Sequence, residues 1–173
     1  MRILFGGDMK QGLIEAYYGK GKGKTSLAMG QSLKACAQKK RVIIIQFLKG
    51  KEKGEYQFLE GGQIDIKFIC FEKSDLYYED LPPAEQEEQA ANIRNGLHFA
   101  RKVIATHECD LLVLDEILGL PDYAIASCEE INDILKVRNH GMHIILTGQT
   151  FPKDLSRYVD VATRLDTEYL HES

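Results

Sequence analysis

Hydrophobic positions along this chain follow two alternating periods. Short apolar runs of β-forming residues give way to longer stretches in which apolar residues recur every three or four positions. Residues 12–18 are β-rich and end in glycines, which predicts a strand feeding a turn. Residues 25–38 read as a helix with Leu27, Met29, Leu33, Ala35 and Cys36 among its apolar positions. Residues 41–47 form an unbroken β-branched run, the signature of a strand covered on both faces. Residues 64–71 predict another strand. Pro82 and Pro83 then open a long helix to about Thr106, with Ala90, Ile93, Leu97, Ala100 and Ile104 forming one stripe. Its early acids (Glu85, Glu87, Glu88) and late Arg101 and Lys102 suit the helix dipole. Further along come a buried strand at 110–116 ending in two acids, a helix at 129–138 and a strand at 143–148. A short helix at 152–158 and a last strand at 161–165 complete the order.

Strands that alternate with helices imply crossover connections, so the expected fold is α/β: a three-layer sandwich around a mostly parallel sheet. At 173 residues, one domain spanning residues 1–173 is expected. No internal repeat or low-complexity linker interrupts it, and residues 49–62 are the expected mobile loop. The longest aliphatic runs, at 42–45 and 111–114, fall far short of the ~20 residues of a membrane span. The apolar start at residues 1–5 is too short for a secretory signal, so a soluble cytoplasmic protein without membrane partners is expected.

Composition sharpens the picture through charge. Residues 1–60 carry 12 Lys+Arg against 5 Asp+Glu, a net of +7, whereas residues 61–173 carry 10 against 21, a net of −11. A basic segment within an acidic chain points to a local polyanion site. No basic stripe interleaved with aromatics exists, which argues against nucleic acid. Cys36, Cys70, Cys109 and Cys128 lie 34, 39 and 19 residues apart, without a Cys-x-x-Cys pair, and read as reduced small hydrophobes. His140 and His143 flank Gly141 in what reads as a solvated turn rather than a metal pair. Asp75, Glu79 and Asp80 read as an exposed loop before Pro82.

The basic segment contains the most informative motif. Residues 18–26 read Y-G-K-G-K-G-K-T-S, between the first strand and the first helix. Gly23, Lys24 and Thr25 satisfy the second half of the phosphate-loop pattern G-x-x-x-x-G-K-[ST], although Tyr18 stands at its first glycine. Gly19, Gly21 and Gly23 are expected to reach positive φ and turn amides inward as an anion nest. The helix that follows adds free N–H groups and the positive end of its dipole. Lys24 can then reach terminal phosphates, and the Thr25 hydroxyl can ligate Mg²⁺. About 90 residues later, Asp115 and Glu116 end a buried strand, where an acid faces the phosphate loop and holds the metal. A nucleotide site follows, but the reaction does not, because phosphate loops serve hydrolases, kinases and other transferases alike.

Several strings together resemble the ATP:corrinoid adenosyltransferases of the P-loop, RecA-like type. The 18–26 loop is similar to that family's T-G-N-G-K-G-K-T-T. Gln46, Phe47, Leu48, Lys49 and Gly50 are similar to its Q-F-I-K-G, with Gly54 and Glu55 following. Residues 113–117 resemble V-L-D-E-[LI], and Leu146, Thr147 and Gly148 resemble L-T-G, with Pro152, Leu155 and Asp160 beyond. The resemblance covers most of residues 12–165. It implies a RecA-like sheet, ATP with Mg²⁺, a reduced corrinoid as substrate, a flavoprotein reductase as electron source and a homodimer. The reaction it implies is attack of cobalt(I) on C5′ of ATP, with triphosphate leaving. By position, Gly19, Lys20, Gly21, Lys22, Gly23, Lys24, Thr25 and Ser26 would cradle phosphates. Lys34 would stand where the family has Arg, and Thr25, Asp115 and Glu116 would serve the metal. Lys24, Thr25 and Glu116 would carry catalysis.

The chain also departs from the family. Gln149 replaces the Arg of L-T-G-R, the G-x-G-F-x-W segment is missing, there is no Trp, and the closing K-H-P-F-like segment is lost. Phe71, Tyr77 or Tyr78 stand where the family's aromatics help displace the lower axial ligand of cobalt, although core packing or loop anchoring suits them better. Two other classes share the phosphate grip: another P-loop ATPase or small-molecule kinase, and a non-catalytic ATP-binding or corrinoid-handling relative. Thymidine-kinase-like chains would add a four-cysteine zinc lobe, for which the cysteine spacing gives no sign.

Overall fold

The computed structural model describes residues 12–49, 64–138 and 141–168. Six parallel strands form one sheet: β1 (Ile14–Tyr18), β2 (Val42–Gln46), β3 (Ile66–Cys70), β4 (Leu111–Asp115), β5 (His143–Gly148) and β6 (Val161–Arg164), in the order β3-β2-β4-β5-β1-β6. Among the described residues three α-helices cover it: α1 (Lys24–Ala37), α2 (Pro83–Thr106) and α3 (Cys128–Lys136). All six expected strands and all three long helices are present. The expected helix at 152–158 is a single 3₁₀ turn, Lys153–Leu155. Residues 50–62, most of the expected mobile loop, lie outside the described residues.

Strand alternation assigns the faces. Val42 and Ile44, Leu111 and Val113, and Ile145 pack with Ala28 and Ala35 of α1. Their neighbours Ile43, Ile45, Leu112, Leu114, Ile144 and Leu146 pack with Ile93, Leu97 and Ala100 of α2 and Ile131, Ile134 and Leu135 of α3. Both faces of β2 and β4 are therefore dry, which is why these strands read as continuous apolar runs. The helix ends follow local chemistry. Pro83 sits at the first position of α2, and His107 closes that helix in the left-handed region. A capping box, with Ser127 and Glu130 each bonding the other's amide, opens α3.

His140 lies outside the described residues, and His143 is not solvated as expected of that pair. It begins β5 with its side chain only 11% exposed. Nδ1 accepts the Leu13 N–H at 3.3 Å, and Nε2 lies 3.5 Å from Glu15. Burial therefore pulls its pKa below the usual imidazole value, with Glu15 opposing. The cysteines are free thiols. Among the described residues no helix is long and apolar enough to cross a membrane.

Candidate functional site

Parallel strands all point their carboxyl ends the same way, and the sequence motifs gather at that edge. The loop after β1 turns on Gly19 (φ 125°) and Gly23 (φ 97°). Gly21 is not left-handed, contrary to expectation; its reason is space. A Cβ there would lie 2.7 Å from the Leu165 carbonyl oxygen and 2.8 Å from the Asp166 carbonyl carbon. Tyr18, at the position of the missing motif glycine, ends β1 and packs its ring 5.4 Å from that of Phe151.

Several amides of the 19–26 loop, expected to cradle phosphates, already have partners within the protein. The Gly19 N–H is shared between the Gly148 and Gln149 carbonyls. The Gly21 N–H donates to Leu165 and the Lys22 N–H to Thr167 Oγ1. These amides hold the loop against the ends of β5 and β6. The amides suited to phosphate are those of Lys24, Thr25 and Ser26, ahead of the first helical bond from Leu27 N–H to the Gly23 carbonyl. Gly23, the N-cap, makes no side-chain cap there. Lys24 Nζ donates to the Gly19 and Gly21 carbonyls at 2.7 and 2.8 Å, while Lys20, Lys22 and Ser26 are exposed. Lys34 lies in the last turn of α1, exposed, about 15 Å of helical rise from Lys24, and is not brought to the loop.

Facing the loop across the α1 side of the sheet is a row of buried polar residues, Gln46, Asp115 and Thr147, one from each of β2, β4 and β5. Asp115 is wholly buried. Its carboxylate accepts from Thr147 Oγ1 at 2.6 Å and from Thr25 Oγ1 at 3.1 Å, with Lys49 Nζ 3.3 Å away. Thr147 Oγ1 in turn accepts the Glu116 N–H at 2.8 Å. Leu48 and Glu116, just beyond β2 and β4, both adopt φ of 62°. These strained turns aim Lys49 and Glu116 back at the loop. Burial pushes the Glu116 carboxyl above its ordinary pKa, with Asp115 adding and Lys49 and Lys24 opposing.

Asp115, Glu116 and the Thr25 hydroxyl are oxygen donors of the kind a hard divalent cation takes, and the Lys49 ammonium stands among them as a stand-in cation. Among the described residues no group of three or more His, Cys, Asp or Glu converges. Two carboxylates and a hydroxyl suit a cation that keeps other oxygens from water or phosphate. Gln46 Nε2 is buried without a hydrogen-bond partner beside this set.

Sequence reasoning assigned no role to Gln46, Lys49 or Thr147. Their signal was polarity at the carboxyl end of an apolar run, as at Asp115. A cavity of about 390 Å³ adjoins the set, bordered by Lys49, Glu116, Gln149, Tyr77, Glu79 and Tyr123. Of the three aromatic candidates only Tyr77 lines it. Tyr78 is buried against Tyr123, and Phe71 packs on Phe99. Glu79 accepts the Tyr123 hydroxyl at 2.9 Å, which makes the expected exposed acidic loop one wall of this cavity.

The fold is similar to that of a KaiC-like protein from Pyrococcus horikoshii, with a TM-score of 0.59 at 15% identity over 92% of this chain and 75% of that one. In sequence the chain is 27% identical over 157 residues to a corrinoid adenosyltransferase of Escherichia coli K12, covering 90% of this chain and 77% of that protein. It is 26% identical, over the same shares, to the corrinoid adenosyltransferase of Salmonella typhimurium. The model of the family described as ATP:corrinoid adenosyltransferase BtuR/CobO/CobP matches residues 10–171. That match spans nearly the whole chain and the loop, strand ends and acids described above: the chain belongs to the ATP:corrinoid adenosyltransferase family.

Proposed function

We propose that this chain moves the 5′-deoxyadenosyl group of ATP to the cobalt(I) centre of a reduced corrinoid and releases triphosphate. The observation that carries the reading is the convergence of the α1 N-terminus, Lys24, Thr25, Asp115 and Glu116 at one edge of the sheet. Breaking the C5′–O bond leaves charge on a triphosphate. Preorganised amides and ammonium groups stabilise that charge without rearranging. The Lys24, Thr25 and Ser26 amides would hold phosphate oxygens, and Lys24 would exchange its two loop carbonyls for them. Thr25, Asp115 and Glu116 would hold Mg²⁺, which when bound supplies further positive charge to the leaving group. Cobalt(I) is the nucleophile, so no side chain need be activated as one.

The cavity beside Lys49 and Glu116 is the natural place for the adenosyl end of the nucleotide. Its volume suits a nucleoside and is too small to enclose a corrin ring, which would approach from outside. Tyr77 on its wall offers a flat apolar surface to the incoming ring.

The test is incubation with ATP, Mg²⁺ and chemically reduced cobalamin, followed by identification of both products. Adenosylcobalamin with inorganic triphosphate is the expected result. Orthophosphate or ADP without a cobalt–carbon bond would move the chain among P-loop hydrolases or kinases, and bound, unchanged ATP would make it a non-catalytic relative.

A further inference from the structure

Lys49 sits where the chemistry calls for a metal ion. Its ammonium donates to Thr25 Oγ1 at 2.9 Å and lies 3.3 Å from Asp115 Oδ2 and 3.8 Å from Glu116 Oε1. These are the same three groups that suit a divalent cation. The arrangement is built into the fold: the lysine is only 16% exposed, and the left-handed turn at Leu48 delivers it from β2 towards the end of β4. A hard divalent cation holds its oxygens at about 2.0–2.6 Å, so ammonium and metal cannot share this position.

We infer that Lys49 is a built-in placeholder for the divalent cation. It holds the metal position while no nucleotide is bound. The metal–triphosphate then displaces it, and the released ammonium moves onto phosphate oxygens. Charge supports the exchange. Among the described residues, Lys49 lies beside both Asp115 and Glu116, and Lys24 also acts on Glu116, so the two carboxylates already have cationic neighbours without a metal. A metal ion entering alone would add two positive charges beside an ammonium in a poorly solvated site. Entering with a triphosphate, it brings the negative charge that both ammonium groups then need. A flexible four-carbon stem allows a shift of several ångströms that a planar guanidinium would make less readily. This inference rests on the nucleotide-site reading above and adds an order to it: metal binds with nucleotide, not before it.

Mn²⁺ binding followed by electron paramagnetic resonance tests the exchange without turnover. Wild-type protein without nucleotide is expected to bind Mn²⁺ weakly, and Lys49→Gln at least about 10-fold more tightly, because the competing charge is gone. With a non-reactive ATP analogue the order reverses: wild type takes up Mn²⁺, and Lys49→Gln binds the analogue about 10-fold more weakly for want of one charged phosphate contact. Lys49→Met, of similar length, serves if the amide variant does not fold, with circular dichroism checking both. Tight Mn²⁺ binding by wild type without nucleotide would overturn the inference on its own. So would unchanged nucleotide-free affinity in a folded Lys49 variant. Failure of wild type to bind the analogue at all would instead bring down the nucleotide-site reading, and the inference with it.

Discussion

The Thr25 hydroxyl donates to Asp115 Oδ1 across 3.1 Å, joining two residues 90 positions apart in sequence. That bond ties the first turn of α1 to the end of β4, although β5 lies between β4 and the strand that feeds the loop. Loop and acids thus form one unit, with Thr147 bracing the acids from the intervening strand.

Removing either end of this unit should stop the reaction. Thr25→Ala and Lys24→Ala are each expected to lower the rate of adenosylcobalamin formation at least ~100-fold, the scale of losing one preorganised electrostatic stabiliser. Near-normal rates in both variants would contradict the site.

The glycines of the loop should separate by mechanism. In Gly21→Ala the new methyl meets fixed backbone of residues 165 and 166. The loop must move, and ATP affinity should fall by more than about 10-fold with stability lowered by ~1–3 kcal/mol. Gly23→Ala meets nothing within 4 Å, and its cost is the left-handed φ alone, about 1–2 kcal/mol. Calorimetric titration with ATP and thermal melts distinguish the two; equal losses of affinity would show that contact with residues 165 and 166 does not set the loop's shape.

Gln149 borders the cavity beside Glu116, Glu79 and Asp122, a strongly acidic wall. Gln149→Arg restores the cation of the related motif there and should raise ATP affinity or turnover several-fold by offsetting that charge. A variant with unchanged binding and rate would mean that this corner no longer contacts nucleotide.

Glu72, just past β3, is 5% exposed, and burial pushes its carboxyl up to about 8, with the Leu48 backbone opposing. The folded state therefore binds its proton more tightly than the unfolded state. Stability from this group is complete below about pH 4.5 and declines as pH rises through 8. Denaturant titrations of wild type should lose on the order of 3 kcal/mol between pH 5 and 8, relative to Glu72→Gln. Parallel pH profiles for the two proteins would refute the assignment.

Much of this architecture was legible because local chemistry and global packing agree. The apolar runs of β2 and β4 are dry on both faces, and the Pro82–Pro83 start of α2 has one reading. Lys24, Thr25, Asp115 and Glu116 were named from spacing, and the fold brings them to one edge of the sheet. What spacing could not carry was orientation. Gly21 looked like a positive-φ glycine, yet it answers to a carbonyl 144 positions later. Gln46, Lys49 and Thr147 fall in strings that resemble the family, but a place for them in the site emerges only when parallel pairing sets β2, β4 and β5 in register. His143 was placed at the start of a strand but expected to be solvated, because the groups that bury it, around Leu13 and Glu15, come from the opposite end of the chain.

The amides of Gly21 and Lys22 are held by Leu165 and Thr167. The sequence as far as β5 carries every motif residue, but it lacks these two contacts. The shape of this turn is therefore written at both ends of the sequence: its residues come early, and two of the groups that hold it come after the last strand.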